Sequence, residues 1–146
     1  MPARDVREAD LDGECLIDRL RLLPSATERS MSSGETLHAA GEPFERVSLP
    51  MSGCFKVVSR SASGPGRIIG LHLRGDWIAM DAMVSGWHAA DVIAVGSARV
   101  LSIEQQAFEM ACRHDEELFV MVRDSIGRVL ALTAGDLPRM PTRDGA

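Results

Sequence analysis

Between Gly75 and Ala98 the chain places three aspartates, Asp76, Asp81 and Asp91, and one histidine, His88, with no lysine or arginine. Their setting is apolar. The stretch IIGLHLRGDWIAMDAMVSGWHAADVIAV, Ile68 to Val95, has the outline of a ligand pocket: an apolar strand, a Gly-Asp turn, a short helical turn, a glycine loop and a second apolar strand. A buried phosphate needs a cation or several N–H donors. A pocket built from these residues is therefore expected to refuse anions and to take an uncharged or cationic molecule, or none. The ligand-pocket candidates are Asp76, Met80, Asp81, His88 and Asp91, with Ile78, Met83, Val92 and Val95 as further apolar walls. Each has an ordinary structural role as its alternative. Asp76 suits a turn residue capping a helical turn over Trp77–Met83, and the apolar walls suit plain core.

Other reactive residues make weaker patterns. Ser85 and His88 are close in sequence, but nothing places an orienting acid on them, and no GxSxG, HExxH or P-loop is present. The chain is expected not to be an enzyme. The three cysteines, Cys15, Cys54 and Cys112, form no CxxC pair, so neither a disulfide framework nor a zinc knuckle is indicated. Cys54 and Cys112 suit small buried filler. Of the four histidines, His38, His72, His88 and His114, His72 alternates with Leu71 and Leu73 and so points to the opposite strand face. His88, beside Trp87 in a loop, is the most pocket-like.

The elements that must position these residues are short. CLIDRLRLLP forms an amphipathic helix ending before Pro24, with Leu16, Leu20 and Leu23 at helical spacing. From Ser30 the pattern becomes strands punctuated by glycine. RVSLPMSGCFKVVSR and DVIAVGSARVLSI each suggest two strands, joined at Ser52-Gly53 and broken at Gly96-Ser97. The spacing predicts an all-β barrel or sandwich. The period then lengthens: EQQAFEMACRHD is one helix and Leu118 to Leu132 carries a second. On the second, Phe119, Val122, Ile126 and Val129 follow a 3-4-3 spacing, the seam of two paired helices, while Leu118, Met121 and Leu130 suit the chain's own barrel. Packing of the whole helix on its own domain fits the period nearly as well. Gly127 lies mid-helix, where it would allow close approach of a partner.

Length and composition set the frame. The 146 residues suit one domain with a sizeable core, and 45% hydrophobic residues exclude disorder. A net charge of −5 argues against gripping nucleic acid, which needs a concentrated basic face. No apolar run is long enough to span a membrane, and the charged start lacks a secretory signal, so a cytoplasmic location is expected.

GETLHAAGEPFERVSLPMSGCFKV together with GLHLRGDWIAMDAMVSGWHAADVIAV resembles the sensor domain of the CRP/FNR transcription regulators, and the second run is similar to the FNR branch in particular. The resemblance covers about Leu22 to Leu137. It implies a mainly β fold with α: a cyclic-nucleotide-binding-like double-stranded β-helix, or jelly roll, followed by a long C-terminal dimerisation helix. The expected organisation is a leader with a short helix over residues 1–21, a sensor domain over 22–137 with its dimerisation helix at 116–134, and a polar tail over 138–146; family members usually carry a winged helix-turn-helix after the long helix, and here no DNA-binding domain is expected. The implied partners are a second copy of the chain or a full-length CRP/FNR relative; against the family pattern, no direct DNA binding by this chain is expected, given its net charge of −5.

Nucleotide-binding relatives use a glutamate for the ribose and an arginine followed by Ser or Thr for the cyclic phosphate. Gly75-Asp76 is expected where their Gly-Glu stands, and His88 to Asp91 where their arginine stands. Cyclic AMP and cyclic GMP are therefore not expected as ligands. An FNR-type iron–sulfur cluster needs four ligands, usually cysteines, and is not expected from three cysteines so placed. No cofactor is expected, with haem the remaining option. The expected role is regulatory, by dimerisation and small-signal binding. The alternatives are a small-molecule or haem-binding jelly-roll module unconnected with transcription, and a cupin-like enzyme, whose metal-binding HxH spacing is absent here.

Overall fold

The computed structural model describes residues 16–61 and 64–134, with residues 61 and 128–134 described by backbone alone. The segments 1–15 and 135–146, which include Cys15 and the expected leader and polar tail, lie outside the described residues.

The strands are β1 (Thr27–Met31), β2 (Thr36–His38), β3 (Arg46–Ser61), β4 (Gly64–His72) and β5 (Asp91–Glu104). Residues 16–20 are helical (α1). They are followed in sequence by α2 (Ala82–Ser85), α3 (Gln105–His114) and α4 (Glu116–Ala134). The sheet is antiparallel in the order β1-β5-β3-β4, with β2 also pairing with β5. The sheet is not closed, and the C-terminal helices α3 and α4 follow it.

The long pair β3–β5 is the spine. Arg46 pairs with Glu104 and Leu49 with Leu101 at one end, Cys54 with Val95 and Val58 with Asp91 at the other. Between the two ends the register shifts. The hairpin turn expected at Ser52-Gly53 and the strand break expected at Gly96-Ser97 are instead bulges inside two continuous, bent strands. Gly53 and Gly96 hold φ of 80° and 73°, which a glycine turn and a glycine bulge use alike. Sequence alone cannot separate the two. At Gly53 the strands press together: a Cβ there would stand 2.6 Å from Ser97 O and 2.8 Å from Ala98 Cα.

The bend lets each strand serve two apolar clusters. Val47, Leu49, Leu101 and Ile103 join one, with Trp77 and the helices' Leu16, Leu20, Phe108, Leu118 and Val122. Phe55, Val92, Ala94, Ala98 and Val100 form the other, with Met31 and Ile78. α1 ends at residue 20, earlier than its pattern suggested, with Leu16 and Leu20 buried and Leu22 exposed. Asp115 organises the helical end. Its Oδ1 accepts from Leu118 N at 3.1 Å, capping α4, and its Oδ2 pairs with Arg19 at 2.6 Å, tying α1 to the α3–α4 junction. No described helix is long and apolar enough to cross a membrane.

Candidate functional site

A cavity of about 290 Å³ lies where β4, the segment after it and α4 meet. Its apolar walls include Val57, Ile69, Trp77, Met80, Val92 and Ile126, and its polar side chains are His72 and Asp81. His72 reaches it because it alternates with Leu71 and Leu73, both exposed to solvent. Burial lowers the His72 pKa, a little offset by Asp76, so the ring is neutral at pH 7. No lysine or arginine is among the lining residues.

The segment after β4 is pinned at several points. Asp76 Oδ2 accepts from Leu73 N at 2.8 Å, closing the turn at Gly75. Ile78 N donates to Ser48 O at 3.1 Å. Ala79 then holds φ of 54°, an uncommon conformation for a residue with a Cβ, and Met80 and Asp81 follow it along the cavity wall. Asp81 opens α2 without a side-chain cap and is exposed at the mouth. The Trp77 indole Nε1 donates to Ser125 Oγ of α4 at 2.6 Å, and Ser125 Oγ donates to Val122 O at 2.7 Å. The cavity and the long helix thus share one buried link.

The five pocket candidates divide. Met80 and Asp81 line the cavity; Asp76, His88 and Asp91 are not among its lining residues. Asp76 serves the turn that precedes the cavity, and the helix it was expected to cap begins only at Ala82. Asp91 is held twice, its Oδ1 accepting from Ala40 N at 2.8 Å and its Oδ2 from Arg60 Nε at 2.7 Å. Arg60 first, and then the Ala40 amide, keep its carboxyl below the usual carboxylate range. His88 is buried and stacks on His38. Its Nδ1 has no hydrogen-bond partner. Burial lowers its pKa, against smaller raising effects of Glu42 and Asp81.

Of the other expected walls, Val92 lines the cavity, Ile78 is buried in one apolar cluster, Met83 packs against the other and Val95 is exposed. Trp77 and Ile126 line the cavity without standing among the expected walls. Ile126 was expected on a seam with Phe119, Val122 and Val129. The structure divides that set. Val122 is buried in the chain's own core, Ile126 faces the chain's own cavity, and Phe119 is 47% exposed. The Val129 side chain lies outside the described residues. A 3-4-3 spacing marks an apolar stripe without saying whose surface covers it. Cys54 and Cys112 are free and half-buried, on β3 and α3, and burial raises the Cys112 thiol pKa. Among the described residues no cluster of three or more His, Cys, Asp or Glu could hold a metal ion.

Residues 28–115 match the family model "Cyclic nucleotide-binding domain". A curated relative, the transcriptional regulatory protein btr of Bordetella pertussis, is 29% identical over 103 residues, which are 70% of this chain and 38% of that protein. This chain thus spans well under half the length of that relative. Among solved structures, the sensor domain of the transcriptional regulator DNR from Pseudomonas aeruginosa superposes with a TM-score of 0.64 at 17% identity, covering 94% of this chain and 97% of that one. The catabolite activator protein of Thermus thermophilus superposes with a TM-score of 0.63 at 16% identity, covering 90% and 56%. At such identities the structures speak for the fold, and the family model speaks for descent. The chain belongs to the cyclic nucleotide-binding domain family, and its fold is that of the sensor domains of CRP/FNR transcription regulators.

Proposed function

We propose that this domain works as the effector half of a transcription regulator, pairing with a second copy along α4 and answering a small molecule seated in the cavity. One observation carries the reading: Ile126 of α4 is a wall of the cavity, while the same helix turns Phe119 and Gly127 outward. An occupant would therefore touch the helix that pairs. A Cβ built on Gly127 meets nothing within 4 Å, so that face is open to a partner helix. The pairing face is Phe119, Val120, Arg123 and Gly127, a quarter-turn away from the expected stripe. A full-length CRP/FNR relative would fit the same face. With a net charge of −5 this chain does not grip DNA by itself. Without a lining cation the cavity does not hold cyclic AMP or cyclic GMP. The alternative of a module unconnected with transcription is favoured by no observation.

Gly127→Arg tests the pairing. The substitution removes a helix-weakening glycine at an exposed position where a Cβ meets nothing within 4 Å, so the fold should persist. Analytical ultracentrifugation should find a wild-type dimer and a monomeric variant. Two monomers, or two equally stable dimers, would refute pairing through this face.

A further inference from the structure

We infer that the cavity takes an uncharged, largely apolar molecule carrying one hydroxyl, which hydrogen-bonds to His72, and that it rejects phosphate esters. The inference rests on the reading of this cavity as the effector site and adds the chemical class of the effector.

The argument is one of matching surfaces. The walls from Val57, Ile69, Trp77, Met80, Val92 and Ile126 offer an occupant no polar side-chain partner. A charged group placed against them would lose its hydration without compensation. Two polar side chains remain. Asp81 stands exposed at the mouth, where its carboxylate repels an entering anion. His72 is a partly buried neutral imidazole, with one donor and one acceptor nitrogen. A hydroxyl can use either nitrogen, donating to one or accepting from the other. A phosphate would need more donors and a counter-charge, and the lining supplies neither. A cation would be drawn to Asp81 but would stay at the mouth, because the interior beyond it is apolar. The volume of about 290 Å³ lies near the lower end of the usual ligand range of about 300–1,000 Å³. That suits a molecule the size of a fused two-ring compound.

The two tryptophans make a direct test, because only Trp77 lines the cavity while Trp87 is largely exposed. In a ¹H–¹⁵N spectrum of the full chain, a Trp87→Phe variant identifies the Trp77 indole signal. The probes are 1-naphthol and 1-naphthyl phosphate, one ring system with and without the phosphate. Calorimetry should show 1-naphthol binding at least about tenfold more tightly than the phosphate ester, and 1-naphthol should shift the Trp77 signal. His72→Leu, which keeps the wall apolar, should weaken 1-naphthol by about fivefold, the worth of one ordinary hydrogen bond. Ala90→Phe, from a lining residue, should fill the cavity and abolish binding. Equal or tighter binding of the phosphate ester overturns the inference, and so does an unmoved Trp77 signal. The sedimentation of Gly127→Arg is independent of both probes. A dimer sensitive to that variant but indifferent to 1-naphthol therefore sinks the ligand class alone, and binding of 1-naphthol by a monomer sinks the pairing alone.

Discussion

His38 and His88 stack face to face, their ring centroids 4.0 Å apart and their planes 11° from parallel. His38 Nε2 lies 3.1 Å from Ser48 Oγ, and Phe44 leans on His88 with centroids 5.5 Å apart. The pair fastens the end of β2 to the loop before β5. Both rings are neutral at pH 7. Burial, then His88 and Arg29, bring the His38 pKa down from 6.5 to about 4. Burial also lowers that of His88.

The pH dependence follows from that direction. A histidine whose folded pKa lies below its unfolded value leaves the unfolded chain binding more protons as pH falls below 6.5. Its contribution is complete above the unfolded value and is lost as pH drops from 6.5 towards about 4. For His38 the full loss is on the order of 3 kcal/mol. The charged side chains Glu42, Glu45, Arg29 and Arg46 line the adjoining hollow. Urea unfolding at pH 7.5 and at pH 5 should show the decline, and His38→Phe should flatten it while keeping a ring in the stack. A variant with the wild-type slope would exclude His38 as the source.

Asp91 should matter more than its partner Arg60. The Asp91 side chain is 11% exposed and holds the Ala40 amide as well as the guanidinium, whereas the Arg60 side chain is 64% exposed. Asp91→Ala leaves a backbone N–H without its acceptor and should cost about 2 kcal/mol. Arg60→Ala removes a largely solvated ion pair and should cost under about 1 kcal/mol. Equal costs in thermal or urea unfolding would mean that the Ala40 bond contributes little.

Much of the fold was legible in residue order. The alternation around His72, the glycine-punctuated strands and the two helices before the tail are local patterns, and local patterns survive into structure. The site was less legible. Asp76, His88 and Asp91 share a stretch with Met80 and Asp81, but polar residues close in sequence are parcelled out by geometry. One closes a turn, one enters a stack and one anchors a loop. Ile126 shows the converse: its spacing from Phe119 and Val122 is real, yet three residues on one apolar stripe face a cavity, solvent and a core. Only the packing partner distinguishes these, and the partner is distant in sequence.

The Trp77–Ser125 link predicts a measurable loss of stability. The indole N–H is buried and Ser125 Oγ is its acceptor at 2.6 Å. Ser125→Ala strands that donor and should destabilise the domain by about 1–3 kcal/mol. In a Trp87→Phe background, the Trp77 emission should change along with stability. An unaltered midpoint would show that the link does not hold α4 to the cavity.

Two glycines give opposite expectations for the same substitution. Gly53 has φ of 80°, and a Cβ there would meet Ser97 O and Ala98 across the strand pair at under 3 Å. Neither contact is a flexible side-chain end, so the strands would have to part at the bend that both apolar clusters depend on. Gly53→Ala should cost at least about 3 kcal/mol, combining backbone strain with lost pairing. Gly127 is helical and a Cβ there meets nothing within 4 Å. Gly127→Ala should therefore stabilise a monomer by about 0.5–1 kcal/mol through helix propensity. If α4 pairs closely at this residue, the added methyl also crowds the partner. The gain should then appear in dilute samples and shrink or reverse as concentration rises into the dimer range. Chemical unfolding of both variants at two protein concentrations separates these effects. A Gly53→Ala variant within about 0.5 kcal/mol of wild type would contradict the tight crossing of β3 and β5. A Gly127→Ala gain independent of concentration would place the partner helix on another face.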